Sequence, residues 1–179
     1  NYNATSYKGF TFEADKGINA DLTEATDGIY RFNNLTLGDG TNSVTFNLES
    51  TGASPNGKGP TILLTGNFTL ATNAVIDGNN LGYAGGASSY GAGAGPGGGT
   101  SASAGGGGGA YGGAGGDGGT ANGGGDAYGS ATVPIDLGSG GRGSGDATLD
   151  NGGAGAGAVK VSATGTVALN GNIQVNGQD

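Results

Sequence analysis

Short runs of alternating apolar and polar residues occupy both ends of the chain. In residues 44–48 and 159–161 every second side chain is apolar, so an extended strand there would turn one face inward. Gly, Asn and Asp punctuate the gaps between such runs, and no stretch keeps a helical period. The pattern therefore predicts an all-β protein, with strands at 9–12, 29–32, 35–37, 43–48, 61–65, 68–70, 74–77, 158–163, 167–169 and 173–175.

The chain divides into three zones by composition. Residues 1–81 and 158–179 are rich in Thr, Asn and Asp, whereas residues 82–157 hold 33 of the 46 glycines. We interpret 82–157 as a long glycine-rich insert in a single domain, whose strands start in 1–81 and return in 158–179.

Two segments on either side of the insert share one pattern. Residues 66–78 and 165–177 each begin with Gly, run through a short strand, turn through Asn and form a second strand that ends on Asn or Gly. Repeated short strands with polar turns are typical of a β-solenoid, and we expect the two segments in adjacent stacked coils. Two hairpins of a β-sandwich are the alternative.

The insert has a local period of three. From Tyr111 to Thr120 the sequence reads Gly-Gly-X, the repeat of a polyproline-II helix, which makes no internal hydrogen bonds. We predict extended segments that bond to one another as a polyproline-II-type bundle, with Gly113 and Gly116 packed and Asp117 tolerant of change. An irregular loop packed on the flank of the solenoid is the alternative.

Several of these runs together resemble a known module. Residues 64–70, 74–78, the glycine-rich stretch, 135–141 (Ile-Asp-Leu-Gly-Ser-Gly-Gly), 152–161 and 165–177 resemble a glycine-rich module of large bacterial secreted and cell-surface proteins. The resemblance covers roughly 61–178. It implies a right-handed parallel β-helix outside the cell and carries no catalytic residues. In composition alone, the insert is similar to polyproline-II bundles of certain antifreeze proteins and phage tail-tip adhesins.

Composition narrows the chemistry. The chain has no His, Cys, Met or Trp, which removes imidazole-based nucleophilic catalysis, disulfides and most nitrogen or sulfur metal sites. A net charge of −8 with six Lys and Arg residues argues against nucleic acid and anionic membranes. No apolar run reaches the length of a transmembrane helix. We therefore predict that the protein is not an enzyme and needs no cofactor.

A few side chains remain candidates for sites. Three Asn-x-Ser/Thr sequences offer glycosylation sites, at Asn3, Asn34 and Asn67. Four tyrosines of the insert would either face a sugar ligand or cover glycine backbone, namely Tyr83, Tyr90, Tyr111 and Tyr128. Oxygen ligands for a structural Ca²⁺ would come from Asp117, Asp126, Asp136, Asp146 and Asp150. Arg142, between glycines, is interpreted as an exposed solubilising residue rather than an anion site.

These observations favour an extracellular or cell-surface structural protein. We expect a secreted subunit or module of a fibre or matrix, which self-associates into a homopolymer through open strand edges. The alternative is an adhesin or binding module, for surface glycans or for ice. Ice binding would use a threonine-rich face that includes Thr65, Thr69 and Thr72.

Overall fold

A computed structural model gives the fold of the chain. It describes residues 6–7, 10–12, 19–26, 29–48, 57, 59–102, 105–118, 123–145 and 151–178. The chain forms two compact units, and each draws on separate parts of the sequence. The first comprises 1–49, 60–78 and 159–174, and the second comprises 50–59, 79–158 and 175–179. Whether the chain behaves as one domain, as the sequence suggests, stays a prediction.

The described part of the chain is built from strands. They are β1 (Ser6–Tyr7), β2 (Phe10–Phe12), β3 (Asn19–Thr26), β4 (Ile29–Leu37), β5 (Val44–Leu48), β6 (Thr61–Leu64), β7 (Phe68–Leu70), β8 (Ala74–Asp77), β9 (Ser101–Ala102), β10 (Gly105–Gly106), β11 (Lys160–Ala163), β12 (Val167–Leu169) and β13 (Asn172–Gln174). The all-β prediction is confirmed. Within the described residues no helix is long and apolar enough to cross a membrane.

Parallel layers form the centre of the first unit. The long β4 pairs with β6 through its first half and with β7 through its second, and β5 pairs with β8. The strands after the glycine-rich stretch continue these ladders, because β11 joins β6, β12 joins β7 and β13 joins β8. The predicted pairing of segments 66–78 and 165–177 is thus confirmed for their strands, which lie side by side in parallel register.

The predicted right-handed parallel β-helix, or β-solenoid, is wrong. The short strands lie in sheets that form a curled half-barrel rather than a solenoid. The N-terminal part departs from a solenoid most clearly: β1 pairs with β2, β2 with β5, and β3 with β4, all antiparallel. Strand β3 was not expected from the sequence. A parallel β-helix needs the same parallel pairing in successive coils, and the antiparallel strands interrupt it.

Alternation of side chains builds the core of the first unit. Along β5 the apolar residues Val44, Phe46 and Leu48 are buried, while Thr45 and Asn47 are half-buried. The same period governs β7 and β8, whose inward side chains are fully enclosed. Largest among the enclosed side chains are Tyr30, Phe68, Leu37, Ile62, Leu64, Leu70 and Ile76.

Backbone hydrogen bonds between glycine-rich segments hold the second unit together. The amides of Tyr83 and Gly86 donate to the carbonyls of Gly138 and Gly141, both at 2.9 Å. Donors and acceptors each advance by three residues, which is the repeat of a polyproline-II chain. Most of the backbone hydrogen bonds in this unit join neighbouring segments, and a few, such as Gly91 to Ala87 and Gly98 to Gly95, lie within one segment.

Candidate functional site

Inward-facing apolar residues of successive strands stack in ladders through the first unit. Each ladder joins one residue from β4 or β5, one from β7 or β8 and one from β12 or β13. The three ladders are Leu35–Phe68–Val167, Leu37–Leu70–Leu169 and Phe46–Ile76–Ile173. The first and second members of every ladder are buried. Their alignment follows from the parallel register, which places equivalent side chains of neighbouring strands above one another.

The third member of each ladder is exposed. Val167, Leu169 and Ile173 have 46%, 55% and 38% of their surface open, whereas Phe68, Leu70 and Ile76 have 0%. Each of β11, β12 and β13 has a partner on one side, and within the described residues no strand pairs with the other. We call β11, β12 and β13 the open edge. It combines an unpaired strand backbone with an uncovered apolar face.

Two of the predicted glycosylation residues lie in a polar ladder, Asn34 within β4 and Asn67 directly before β7. The Oδ1 atom of Asn34 accepts the Asn67 amide at 2.8 Å, and Oδ1 of Asn67 accepts the Thr166 amide at 2.8 Å. Both asparagines are exposed, and their side-chain oxygens bond to the residues that lead into β7 and β12. Asn3 lies outside the described residues. Glycosylation stays a prediction at all three positions.

All four tyrosines pack against glycine positions of the second unit, Tyr128 at Gly97 and Tyr90 at Gly145 among them. A Cβ added at Gly95 would lie 2.6 Å from the Tyr83 ring, and one added at Gly129 would lie 2.5 Å from the Tyr111 ring. The Tyr111 and Tyr128 rings meet edge to face, with centroids 5.3 Å apart. These contacts agree with the hypothesis that the tyrosines cover glycine backbone.

Tyr128 and Ser139 join three segments of the second unit. The Tyr128 hydroxyl donates to the carbonyl of Leu137 and accepts a hydrogen bond from Ser139 Oγ at 2.9 Å. Ser139 Oγ in turn accepts the Gly97 amide at 3.0 Å, and the Ser139 side chain is buried. Burial raises the pKa of the Tyr128 phenol, and the hydrogen bond from Ser139 opposes that shift. The sequence pattern gave no signal for this network.

Arg142 is buried, so its prediction as an exposed solubilising residue is wrong. Only 5% of its surface is open, and Nη1 donates to the carbonyl of Gly105 at 2.8 Å. Its guanidinium carbon lies 4.9 Å from the centroid of the Tyr90 ring, a cation–π contact. Tyr90 itself is 54% exposed and has a positive φ of 70°. It is the most exposed of the four candidate tyrosines.

The period of the glycine repeat is as predicted, but its phase is not. The amides of Gly112 and Gly115 bond to the carbonyls of Tyr128 at 2.8 Å and Gly125 at 2.9 Å, three residues apart on each side. A Cβ at Gly115 would collide with the carbonyl of Gly108, whereas one at Gly116 would meet nothing within 4 Å. Gly113 likewise has its nearest atom at 4.0 Å, so the prediction that Gly113 and Gly116 are packed is wrong.

The aspartates that were predicted as Ca²⁺ ligands do not form a cluster in the described part of the chain. Oδ1 of Asp117 accepts the amides of Gly123 and Gly124 at 3.0 and 3.1 Å, which lowers the pKa of its carboxyl. It therefore has a local structural role, contrary to the expected tolerance. Asp146 and Asp150 lie outside the described residues, and in the part of the chain that is described no three acidic side chains form a metal site.

The threonines proposed for ice binding do not share one strand. Thr69 lies in β7 and pairs with Thr36 of β4 on one side and with Ala168 of β12 on the other. The cross-strand row of threonines therefore contains two residues and ends at β12. Thr65 and Thr72 lie outside the strands, before and after β7. This placement gives no extended flat threonine face.

Comparisons with known proteins leave the geometry as the sole basis for assigning a function. No family model, no curated protein and no solved structure matches this chain.

Proposed function

We propose that this protein belongs to the class of self-assembling structural proteins. More specifically, we propose a non-enzymatic extracellular subunit or module of a surface fibre or matrix, joined to its neighbours through β-strand edges. The exposure of Val167, Leu169 and Ile173 on the open edge carries this proposal. Exposed, unpaired strands with an apolar face are templates for pairing with another chain, and stable monomers commonly protect such edges with charges or Pro.

The apolar side chains that end the ladders favour pairing with a strand of another chain over binding of a small molecule. Pairing along β12 would satisfy its open backbone edge, and the new strand would cover the residues that end the ladders, Val167 and Leu169. Main-chain hydrogen bonds would supply affinity in such a β-augmentation, and the alternating apolar side chains would fix the register. The low content of charged residues, 11% of the chain, is also compatible with close packing of copies.

A charge placed on the open edge tests the proposal. We expect the wild-type protein to form filaments or large oligomers in negative-stain microscopy and sedimentation velocity. Leu169→Lys should remove the contacts made through the open edge and so shift the distribution to markedly smaller species, because an ammonium group would have to be buried without a partner. The matched control is Thr72→Lys, which adds the same charge at an exposed residue between β7 and β8. A monomeric wild type, or equal assembly by Leu169→Lys, would contradict the proposal.

The second candidate function is glycan binding, and Tyr90 favours it. The residue is 54% exposed beside the buried Arg142 guanidinium, and its positive φ marks a backbone conformation that a tyrosine seldom adopts. A glycan array should then give hits that Tyr90→Ala removes and Val133→Ala, a change at another exposed apolar residue, retains. An array without hits would remove this candidate.

A further inference from the structure

A groove of about 450 Å³ lies in the second unit. Its floor is formed within Gly138–Arg142, one wall by 106–111, and the other by 153–156 with 177–178. Twelve of the sixteen lining residues are glycine or alanine, so much of the lining is main chain. A groove of this size can hold a ligand.

The floor is hydrogen-bonded to both walls. The Arg142 amide donates to Gly107 at 2.9 Å on one side, and the Gly141 amide donates to Gly153 at 2.9 Å on the other. Three residues earlier, the Ser139 amide donates to the carbonyl of Ala110, and the Gly138 amide donates to the carbonyl of Ala156. The three segments are therefore fixed relative to one another, and the groove is a feature of ordered backbone rather than a gap between loose loops.

A Cβ atom would fit at Gly141 without a clash. A Cβ there would lie 3.7 Å from the Gly153 nitrogen and 3.8 Å from the Gly109 nitrogen, at ordinary van der Waals distances. Those two nitrogens belong to opposite walls, and neither donates a hydrogen bond to another described residue. Both residues are half-buried, so these two donors are open to a partner from outside the chain, and a ligand that carries carbonyl or similar acceptor oxygens would satisfy them.

The close packing of backbone in this unit restricts which ligands can enter the groove. Where its segments meet, an added Cβ would often clash with backbone, as at Gly82, where it would lie 2.5 Å from the carbonyl oxygen of Gly138. A ligand that packs equally close to both walls must carry hydrogen-bond acceptors and must have no side chain that points toward either wall. An extended glycine-rich polypeptide has these properties, since glycine allows the closest approach of one backbone to another.

The same protein presents such a segment on its surface. Gly112, Gly113 and Gly116 are exposed, and an added Cβ would meet no atom closer than 4.0 Å at any of them. This stretch, residues 112–116, cannot fold into the groove of its own chain, because Gly112 and Gly115 are bonded to Tyr128 and Gly125. We propose that the groove binds the exposed glycine stretch 112–116 of a second copy of this chain.

Such a contact is heterologous, since the groove of one copy meets a different surface of the next. Heterologous contacts generate open chains when the rotation does not close. The inference deepens the proposed function by adding a second contact, and it uses residues other than the open edge. The two can therefore fail independently.

A complementation experiment in the Leu169→Lys background tests the groove without the open edge. Gly141→Leu should fill the groove, and Gly116→Leu should place a side chain on the glycine stretch. Each should weaken self-association in sedimentation velocity at least about tenfold, which corresponds to about 1.4 kcal/mol. An equimolar mixture should form heterodimers and stop there, because it retains one intact groove and one intact stretch. Ala131→Leu, at an exposed residue of the same unit, should change nothing.

A peptide provides the second measurement, independent of how the variants fold. A fluorescently labelled peptide of residues 110–118 should bind the Leu169→Lys protein in an anisotropy titration. The same peptide with Val at positions 113 and 116 should bind at least about tenfold more weakly. Equal binding of both peptides, no binding of either, or a variant mixture that stays monomeric would overturn the proposal. None of these results would bear on the open edge, which is tested by wild type against Leu169→Lys.

Discussion

The two units of this protein solve the burial of a polar backbone in different ways. In the first unit strand pairing satisfies the backbone, and apolar side chains such as Phe68 and Ile76 fill the interior at 0% exposure. In the second, segments approach so closely that a Cβ at Gly82 would lie 2.5 Å from a neighbouring carbonyl, and hydrogen bonds replace a side-chain core. The comparison teaches that removing a side chain should damage the first unit, whereas adding one should damage the second.

The largest effect is expected from a cavity in the first unit. Phe68→Ala should reduce the free energy of unfolding by about 3–5 kcal/mol, because it empties an enclosed site in the middle of a ladder. The matched variant is Val167→Ala in the same ladder, where 46% of the side chain is already exposed, and its effect should be below about 1 kcal/mol. Urea denaturation measures both. If both variants lost a similar amount of unfolding free energy, the cost of a substitution in this ladder would not depend on the burial of the residue.

In the second unit the corresponding test adds a side chain instead of removing one, at the neighbouring residues Gly115 and Gly116. Gly115→Val should destabilise by about 1–3 kcal/mol or more, because its side chain would collide with the carbonyl of Gly108. Gly116→Val should cost less than about 1 kcal/mol, since nothing lies within 4 Å of its Cβ. Thermal unfolding followed by circular dichroism compares them. Equal melting temperatures would show that the second unit is not packed through its glycines.

A smaller effect is expected where a side chain does support the second unit. Ser139→Ala should cost about 1–2 kcal/mol, because it leaves the buried amide of Gly97 without its acceptor and the Tyr128 hydroxyl without a donor. Ser162→Ala, at a half-buried residue of β11, is the control and should lie within about 0.5 kcal/mol of wild type. An unchanged unfolding midpoint for Ser139→Ala would contradict the network.

The smallest effect concerns pH in the first unit. The Asp39 carboxylate accepts the amides of Asn42 and Thr41, both at 2.8 Å, and these bonds lower its pKa from 3.8 to about 2. The contribution of Asp39 is therefore complete above its unfolded pKa and is lost as the pH falls from about 4 through 2. Asp39→Ala should flatten the melting temperature profile slightly in that window. Identical profiles for wild type and Asp39→Ala would contradict this assignment.

Alternation of apolar and polar residues was enough to locate most strands of the first unit. It predicted β5, β7 and β12 to within a residue, and the shared pattern of 66–78 and 165–177 predicted that β7 and β12 are neighbours. It missed β3, where Asp21 and Glu24 interrupt the apolar pattern. The solenoid inference failed because a local repeat indicates that strands are alike, but not how many parallel layers form before antiparallel strands end them.

The candidate surfaces were less accessible from sequence. The Gly-Gly-X period predicted bonding between segments, but whether Gly115 or Gly116 faces the neighbour depends on segments far away in the chain, such as Gly108. The burial of Arg142 under Tyr90 has no local signature either. The open edge could be predicted only in outline, because the exposure of Leu169 depends on which strands find a partner.

Amide hydrogen exchange as a function of protein concentration tests the central claim most directly. We expect peptides that cover 160–174 to gain protection as the concentration rises, because pairing of the open edge buries the amides and side chains of β11, β12 and β13. Peptides that cover 61–77 should be protected at every concentration, since β6, β7 and β8 already pair on both sides. Exchange at 160–174 that is independent of concentration, in a sample that nevertheless assembles, would contradict assembly through the open edge.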